Sequence, residues 1–108
     1  MNKGNMGNMM KQVAQMQEKM AKMQEELEQA EVEGTSGGGM IKVIANGKGD
    51  ITSITIDPEV VDPEDVDMLQ DLILAAITQA KEKSAELQAS RMSDITGGMN
   101  LPGMNLPF

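Results

Sequence analysis

The sequence predicts an α+β fold: a long N-terminal helix, a three-stranded antiparallel meander and a long C-terminal helix. Three observations predict it. Met, Val and Leu recur at heptad spacing between Met6 and Ala30, Asn46-Gly47 separates two β-branched runs, and Asp62-Pro63 opens a segment with a broad apolar stripe.

The first helix rests on Met6, Met9, Val13, Met16, Met20, Met23, Leu27 and Ala30, whose alternating steps of three and four form an a/d seam. Good helix formers fill the polar positions, and Glu18 with Lys22 makes a favourable i,i+4 pair. Residues 1–8 are rich in Gly and Asn and are expected to fray. The carboxylates Glu25, Glu26 and Glu28 crowd the far end against the helix dipole, so that end is expected to fray too. Glu31 to Gly34 has strand character, Thr35 to Gly39 reads as a turn, and Met40 to Ala45 as a second strand. Asn46-Gly47 is a strong hairpin signal, and Ile51 to Ile56 supplies the third strand. Ile41 and Val43 share one face of their strand, as do Ile54 and Ile56 of theirs, so one side of the sheet needs a helical cover. Asp62-Pro63-Glu64-Asp65 predicts the second helix start, with Asp62 as the cap. Its stripe of Val66, Leu69, Leu72, Ile73, Ala76, Ile77 and Ala80 is widened by Leu74 and Ala75, which suggests burial on more than one side. This helix is expected to stop before Gly97-Gly98, leaving residues 93–108 as a loose tail that repeats Gly-Met-Asn-Leu-Pro.

Length makes residues 1–108 one domain with a small core. The only aromatic residue is Phe108, and there is no Cys or His, so neither disulfides nor a well-supplied metal site can compensate for a thin core. A second copy of the chain is the remaining way to complete burial, so a homodimer is expected. The opening Met1 to Gln12 lacks an apolar signal-peptide region, and the densest apolar stretch, Leu72 to Ile77, is far short of the roughly 20 residues that span a bilayer. A cytoplasmic location with no membrane partner is the expectation. The formal net charge of −8 repels nucleic acid on average, so any binding to it must use locally placed cations.

Most enzyme chemistry is absent, because without His and Cys only carboxylates, Lys and hydroxyls remain as acids, bases and nucleophiles. No cofactor is expected. Asp57, Glu59, Asp62, Glu64, Asp65, Asp67 and Asp71 cluster in sequence, but no frame supplies the Gly and Glu positions of a calcium-binding loop. They read as helix caps and solvated acid. The glycines of Gly37–Gly39 and Gly47-Lys48-Gly49 lie between strands, so they read as hairpin turns and not as phosphate loops. The Met stripe reads either as a packed seam or as an adaptable surface for partners.

Taken together, Met1 to Gln12, Val32-Glu-Gly-Thr-Ser-Gly-Gly-Gly-Met-Ile-Lys-Val43, Asn46-Gly-Lys-Gly49, Ile56-Asp57-Pro58, the acidic run to Asp71-Leu72-Ile73 and the Gly97-Gly98 to Leu-Pro-Phe tail resemble the YbaB/EbfC family of bacterial nucleoid-associated proteins. The resemblance covers the chain in order. It implies one YbaB/EbfC-like DNA-binding domain and an intertwined, tweezer-like homodimer that binds double-stranded DNA with little sequence preference, organising the nucleoid and affecting gene expression.

Under that resemblance, the candidate DNA-binding residues are Lys3, Lys11, Gln15, Lys19 and Lys22 on the first helix and Lys81, Lys83 and Arg91 on the second. Lys11, Gln15, Glu18 and Lys22 share a face opposite the Met seam, with Lys19 on its flank. With Arg91 as the sole arginine, base-edge reading is poorly provided for, and backbone and shape recognition are expected. Two alternatives compete. One is an acidic clamp that grips proteins with Met-rich arms through Met16, Met20 and Met23. The other is an accessory factor that reaches DNA through DNA-repair, recombination or replication proteins.

Overall fold

The heptad-patterned segment forms helix α1 (Lys3–Gln29), followed by β1 (Glu31–Ser36), a tight turn over Gly37–Gly39 in which all three glycines have positive φ, β2 (Ile41–Asn46), β3 (Ile51–Ile56), a 3₁₀ turn over Pro58–Val60, and helix α2 (Val66–Met99). This computed structural model describes the backbone of residues 3–99 and the side chains of residues 6–96. The side chain of Lys3 and the segment 100–108, on which the sequence placed a cation and a loose tail, lie outside the described residues.

The strands form an antiparallel sheet in the order β1-β2-β3. Ile41 pairs with Ile56 and Val43 with Ile54, so these four side chains share the expected apolar face. The register shifts between Ile44 and Ala45, where Ala45 pairs with Ile51; Thr52 is passed over, and its hydroxyl donates to the Ile44 carbonyl. α2 covers that face over β1 and β2. Ile41, Val43 and Ala45 are fully buried there with Ala76 and Ala80, and Val60 closes one end. The cover stops short of β3, whose Ile54 keeps 45% of its surface exposed.

Two glycines seat the helices. A Cβ at Gly34 in β1 would collide with the carbonyl oxygen of Ala76 and the backbone nitrogen of Ala80, so helix and strand backbones approach there as closely as glycine and alanine permit. Next to that contact, Ser36 Oγ donates to the Leu72 carbonyl and the Thr35 backbone N–H donates to Gln79 Oε1. A Cβ at Gly47 would lie 2.8 Å from the Leu27 carbonyl oxygen, and the Gly47 N–H donates to that oxygen at 2.7 Å.

Several boundaries differ from the sequence reading. α1 starts at Lys3, inside the segment expected to fray, and α2 continues to Met99, past the stop expected before Gly97-Gly98. Glycine costs a helix only about 1 kcal/mol per residue, and once nucleated a helix extends at one hydrogen bond per residue, so neither the separate Gly4 and Gly7 nor the Gly97-Gly98 pair need end it. The acidic end of α1 holds to Gln29 because Gly47 satisfies the otherwise orphan Leu27 carbonyl and Lys48 Nζ lies 2.8 Å from Glu28 Oε1. Thr35 and Ser36 belong to β1, since both pair across to β2. The β2–β3 connection is a longer loop: the Asn46 side chain accepts from the N–H groups of Lys48 and Asp50, and the positive φ of 95° falls on Gly49. Gly47 is needed for space, not for positive φ. The cap of α2 is Asp65, which accepts from the Met68 N–H at 3.2 Å, whereas Asp62 caps the preceding turn by accepting from Glu64.

Replacing Gly34 with Ala forces α2 away from β1 and is expected to destabilise the fold by about 1–3 kcal/mol. Asp65→Ala removes one cap and is expected to cost about 1 kcal/mol. Urea titration at one fixed protein concentration checks both, read as a lower midpoint with an unchanged slope.

Candidate nucleic-acid interface

α1 and the second half of α2 run antiparallel beyond the sheet. Near the sheet, Leu27 touches Gly47 and Ser84 lies beside Gly49; further out, Lys19, Lys22, Met23 and Glu26 face Arg91, Asp94 and Ile95 across an open groove. This helical pair makes the molecule 74 Å long and only 16 Å thick, with a radius of gyration of 20.7 Å against about 13 Å for a compact domain of this length.

The groove gathers three predicted cations, Lys19, Lys22 and Arg91, around the buried Met23 and the half-buried Ile95. Its two carboxylates, Glu26 and Asp94, moderate the local charge; the sequence reading places Glu26 only in the acidic end of the first helix and gives Asp94 no role. Their signal was present: Lys22 to Glu26 is an i,i+4 step and Arg91 to Asp94 an i,i+3 step. Lys11 and Gln15 are exposed further along α1, on the face Lys22 shares.

Lys81 and Lys83 do not act as one cluster. Two residues apart on a helix, they point about 160° away from each other. Lys81 Nζ donates to the Gly49 carbonyl at 3.3 Å and is turned toward the β2–β3 loop, while Lys83 is exposed.

Charge is segregated along the molecule. Residues 3–22 hold four lysines against the single carboxylate Glu18, whereas residues 31–71 hold ten carboxylates against two lysines. Those two, Lys42 and Lys48, make the ion pairs found among the described residues, Lys42 with Glu33 at 3.6 Å and Lys48 with Glu28 at 2.8 Å. Among the described residues, Lys11, Lys19, Lys22, Lys81, Lys83 and Arg91 are not within ion-pair distance of a carboxylate, although the two helices also carry Glu18, Glu25, Glu26, Glu28, Glu82, Glu86 and Asp94. Among the described residues no three His, Cys, Asp or Glu side chains converge as a metal site. The carboxylates Asp57, Asp62 and Asp65 accept from backbone N–H groups as caps.

The Met seam divides in two. Met23 and Leu27 are buried, so Met23 holds α1 in place and is not a gripping surface. Met16 and Met20 are half-buried, while Met6, Met9, Met10 and Val13 are exposed.

A sequence model of the YbaB/EbfC DNA-binding family matches residues 1–99. A nucleoid-associated protein of Desulforamulus reducens is 57% identical over 96% of this chain and 99% of its own length. One from Caldanaerobacter subterraneus is 58% identical over 93% of this chain and 90% of its own. The crystal structure of an uncharacterized protein from Helicobacter pylori, HP0035, superposes with a TM-score of 0.74 over 90% of this chain and 99% of that one, at 22% identity, which establishes a shared fold. With the family matched over nearly all of its length and relatives identical at more than half their positions, the chain belongs to the YbaB/EbfC DNA-binding family.

Proposed function

We infer that the chain is a nucleoid-associated protein that binds double-stranded DNA as a homodimer, with little sequence specificity, and thereby alters DNA conformation, nucleoid organisation and gene expression. The observation that carries this reading is the segregation of charge: the outer part of α1, residues 3–22, carries four lysines against one carboxylate, while the acidic body would repel a duplex. DNA is then engaged by the arms and held off the sheet. Lys11, Lys19, Lys22 and Arg91 are the principal phosphate contacts, with Lys83 as an outlying one; Lys3, Gln15 and Lys81 complete the set. Contact through lysines to phosphate favours the backbone over base edges. The protein acts by binding, without catalysis or cofactor, at the nucleoid in the cytoplasm. No helix among the described residues is long and apolar enough to cross a membrane.

The homodimer is supported by the thin core. Among the described residues, Ile41 and Val43 are the only large apolar side chains fully buried, while Ile54 on the sheet face and Leu74 on α2 remain 45% and 63% exposed. A second copy that covers both would supply the missing burial, at about 25 cal/mol per Å² of apolar surface removed from water. It would also present two arms, doubling every cation.

Fluorescence anisotropy of a labelled, sequence-scrambled duplex at about 50 and 200 mM salt tests the DNA reading. If each copy neutralises two or three phosphates, log affinity falls against log salt with a slope of about −4 to −5. The Lys11→Glu/Lys22→Glu variant is expected to bind weakly with a flattened slope. Absence of binding at the lower salt would overturn direct recognition and leave the accessory factor acting through a recombination or replication partner. For the dimer, sedimentation equilibrium is expected to give twice the chain mass, and Ile54→Asp/Leu74→Asp to shift it toward the monomer.

A further inference from the structure

We propose that residues 100–108 of the chain dock on the bare outer half of its own α1, lying along Met9, Val13 and Met16. The apolar seam of α1 is continuous in sequence from Met6 to Leu27, but its cover is not. Leu27 and Met23 are 3% and 5% exposed, whereas Val13 and Met9 are 57% and 62% exposed. The difference follows from where α2 lies: Arg91 to Ile95 sit beside Lys19 to Met23, and α2 runs one further turn to Met99, heading away from the sheet toward the uncovered part of the seam. There Met9, Val13 and Met16 line an open apolar groove rimmed by Gln12 and Gln17.

The segment that continues from α2 at this point matches the groove in reach and chemistry. From Met6 to Met16 the seam runs about 15 Å along the helix axis. Residues 100–108 span up to about 30 Å when extended, so Leu101, Met104 and Leu106 can all be laid along it. The stretch from Gly97 to Phe108 contains no charged residue and repeats an apolar pair, Met-Asn-Leu, around turn-forming Gly and Pro. Pro102 and Pro107 prevent α2 from continuing as helix and reduce the entropy lost on ordering an extended strap. Seam thioethers adapt to such an irregular partner. The strap lies roughly opposite Lys11 and Lys22 on α1, so docking leaves the basic face free. A second copy's α1 is a poorer occupant, since the stretch from the exposed Met6 to the half-buried Met16 is under two heptads, below the three to four that sustain a coiled coil.

The chain contains no cysteine, so a nitroxide attached to Asn105→Cys is a single label in the full-length protein. Methionine-methyl NMR then reads distance from it. The expected result is loss of the Met9 and Met16 signals, with that of Met68, at the opposite end of α2, retained. In the same labelled chain carrying Leu101→Ser and Leu106→Ser, the Met9 and Met16 signals are expected to return. Unaffected Met9 and Met16 signals overturn the proposal. So does equal loss in the serine variant, which would reflect the tether alone. Loss in a mixture of nitroxide-bearing, isotope-free chains with isotope-labelled chains lacking the nitroxide, at the level seen within one chain, assigns the strap to another copy and overturns docking on its own α1.

Discussion

The contact between Gly34 and the backbone of α2 at Ala76 and Ala80 governs the rest of the molecule. A sheet covered by a helix usually separates the two backbones with a layer of large side chains; here the separation is reduced to glycine against alanine. The close seat fixes how α2 lies across β1 and β2, and it buries Ile41 and Val43 completely under small residues. The helix is much longer than the strand it crosses, so fixing its seat also fixes the course of its second half beyond the sheet. That free half is what α1 meets.

α1 is held by a second contact of the same kind, at Gly47. The Leu27 carbonyl, which a helix end leaves without a partner, accepts from the Gly47 N–H, and Lys48 offsets the acid that crowds that end. An exposed ion pair of this type contributes at most about 1 kcal/mol, so the hydrogen bond and the burial of Met23 and Leu27 are the stronger ties. The outcome is an arm of two antiparallel helices rooted in a small sheet. Its groove collects Lys19, Lys22 and Arg91, side chains far apart in sequence, at one place.

Separating arm from body also reconciles a net charge of −8 with membership of a DNA-binding family. Average charge sets solubility and long-range repulsion, whereas contact depends on charges within about a Debye length, roughly 8 Å at physiological salt. The carboxylates from Glu31 to Asp71 belong to the sheet, the turns after it and the start of α2, and three of the ten, Asp57, Asp62 and Asp65, accept from backbone N–H groups as caps. The lysines of α1 stand at the other end of an elongated molecule.

Element types and order were legible in the sequence because each is a local property: heptad spacing in α1, β-branched runs in β2 and β3, and a capped, Pro-marked start before α2. The family was legible too, since its motifs occur in order along the chain. Which side chains are buried was legible only in part. Periodicity placed Ile54 on the same face as Val43, yet only the lateral position of α2 over the sheet decided that Val43 is buried and Ile54 is not. Likewise the Met seam reads as uniform, but the length and course of α2 divide it into a buried inner half and an exposed outer one. The same holds for the cations: spacing put Lys11 and Lys22 on one face, while the joining of Lys19 and Lys22 to Arg91, and the turning of Lys81 toward Gly49, came from the antiparallel crossing of the helices. Local pattern thus determined what forms, because it depends on neighbours within a turn or a strand pair. Tertiary structure decided what is covered and what converges, because both depend on where Gly34 and Gly47 let two helices approach.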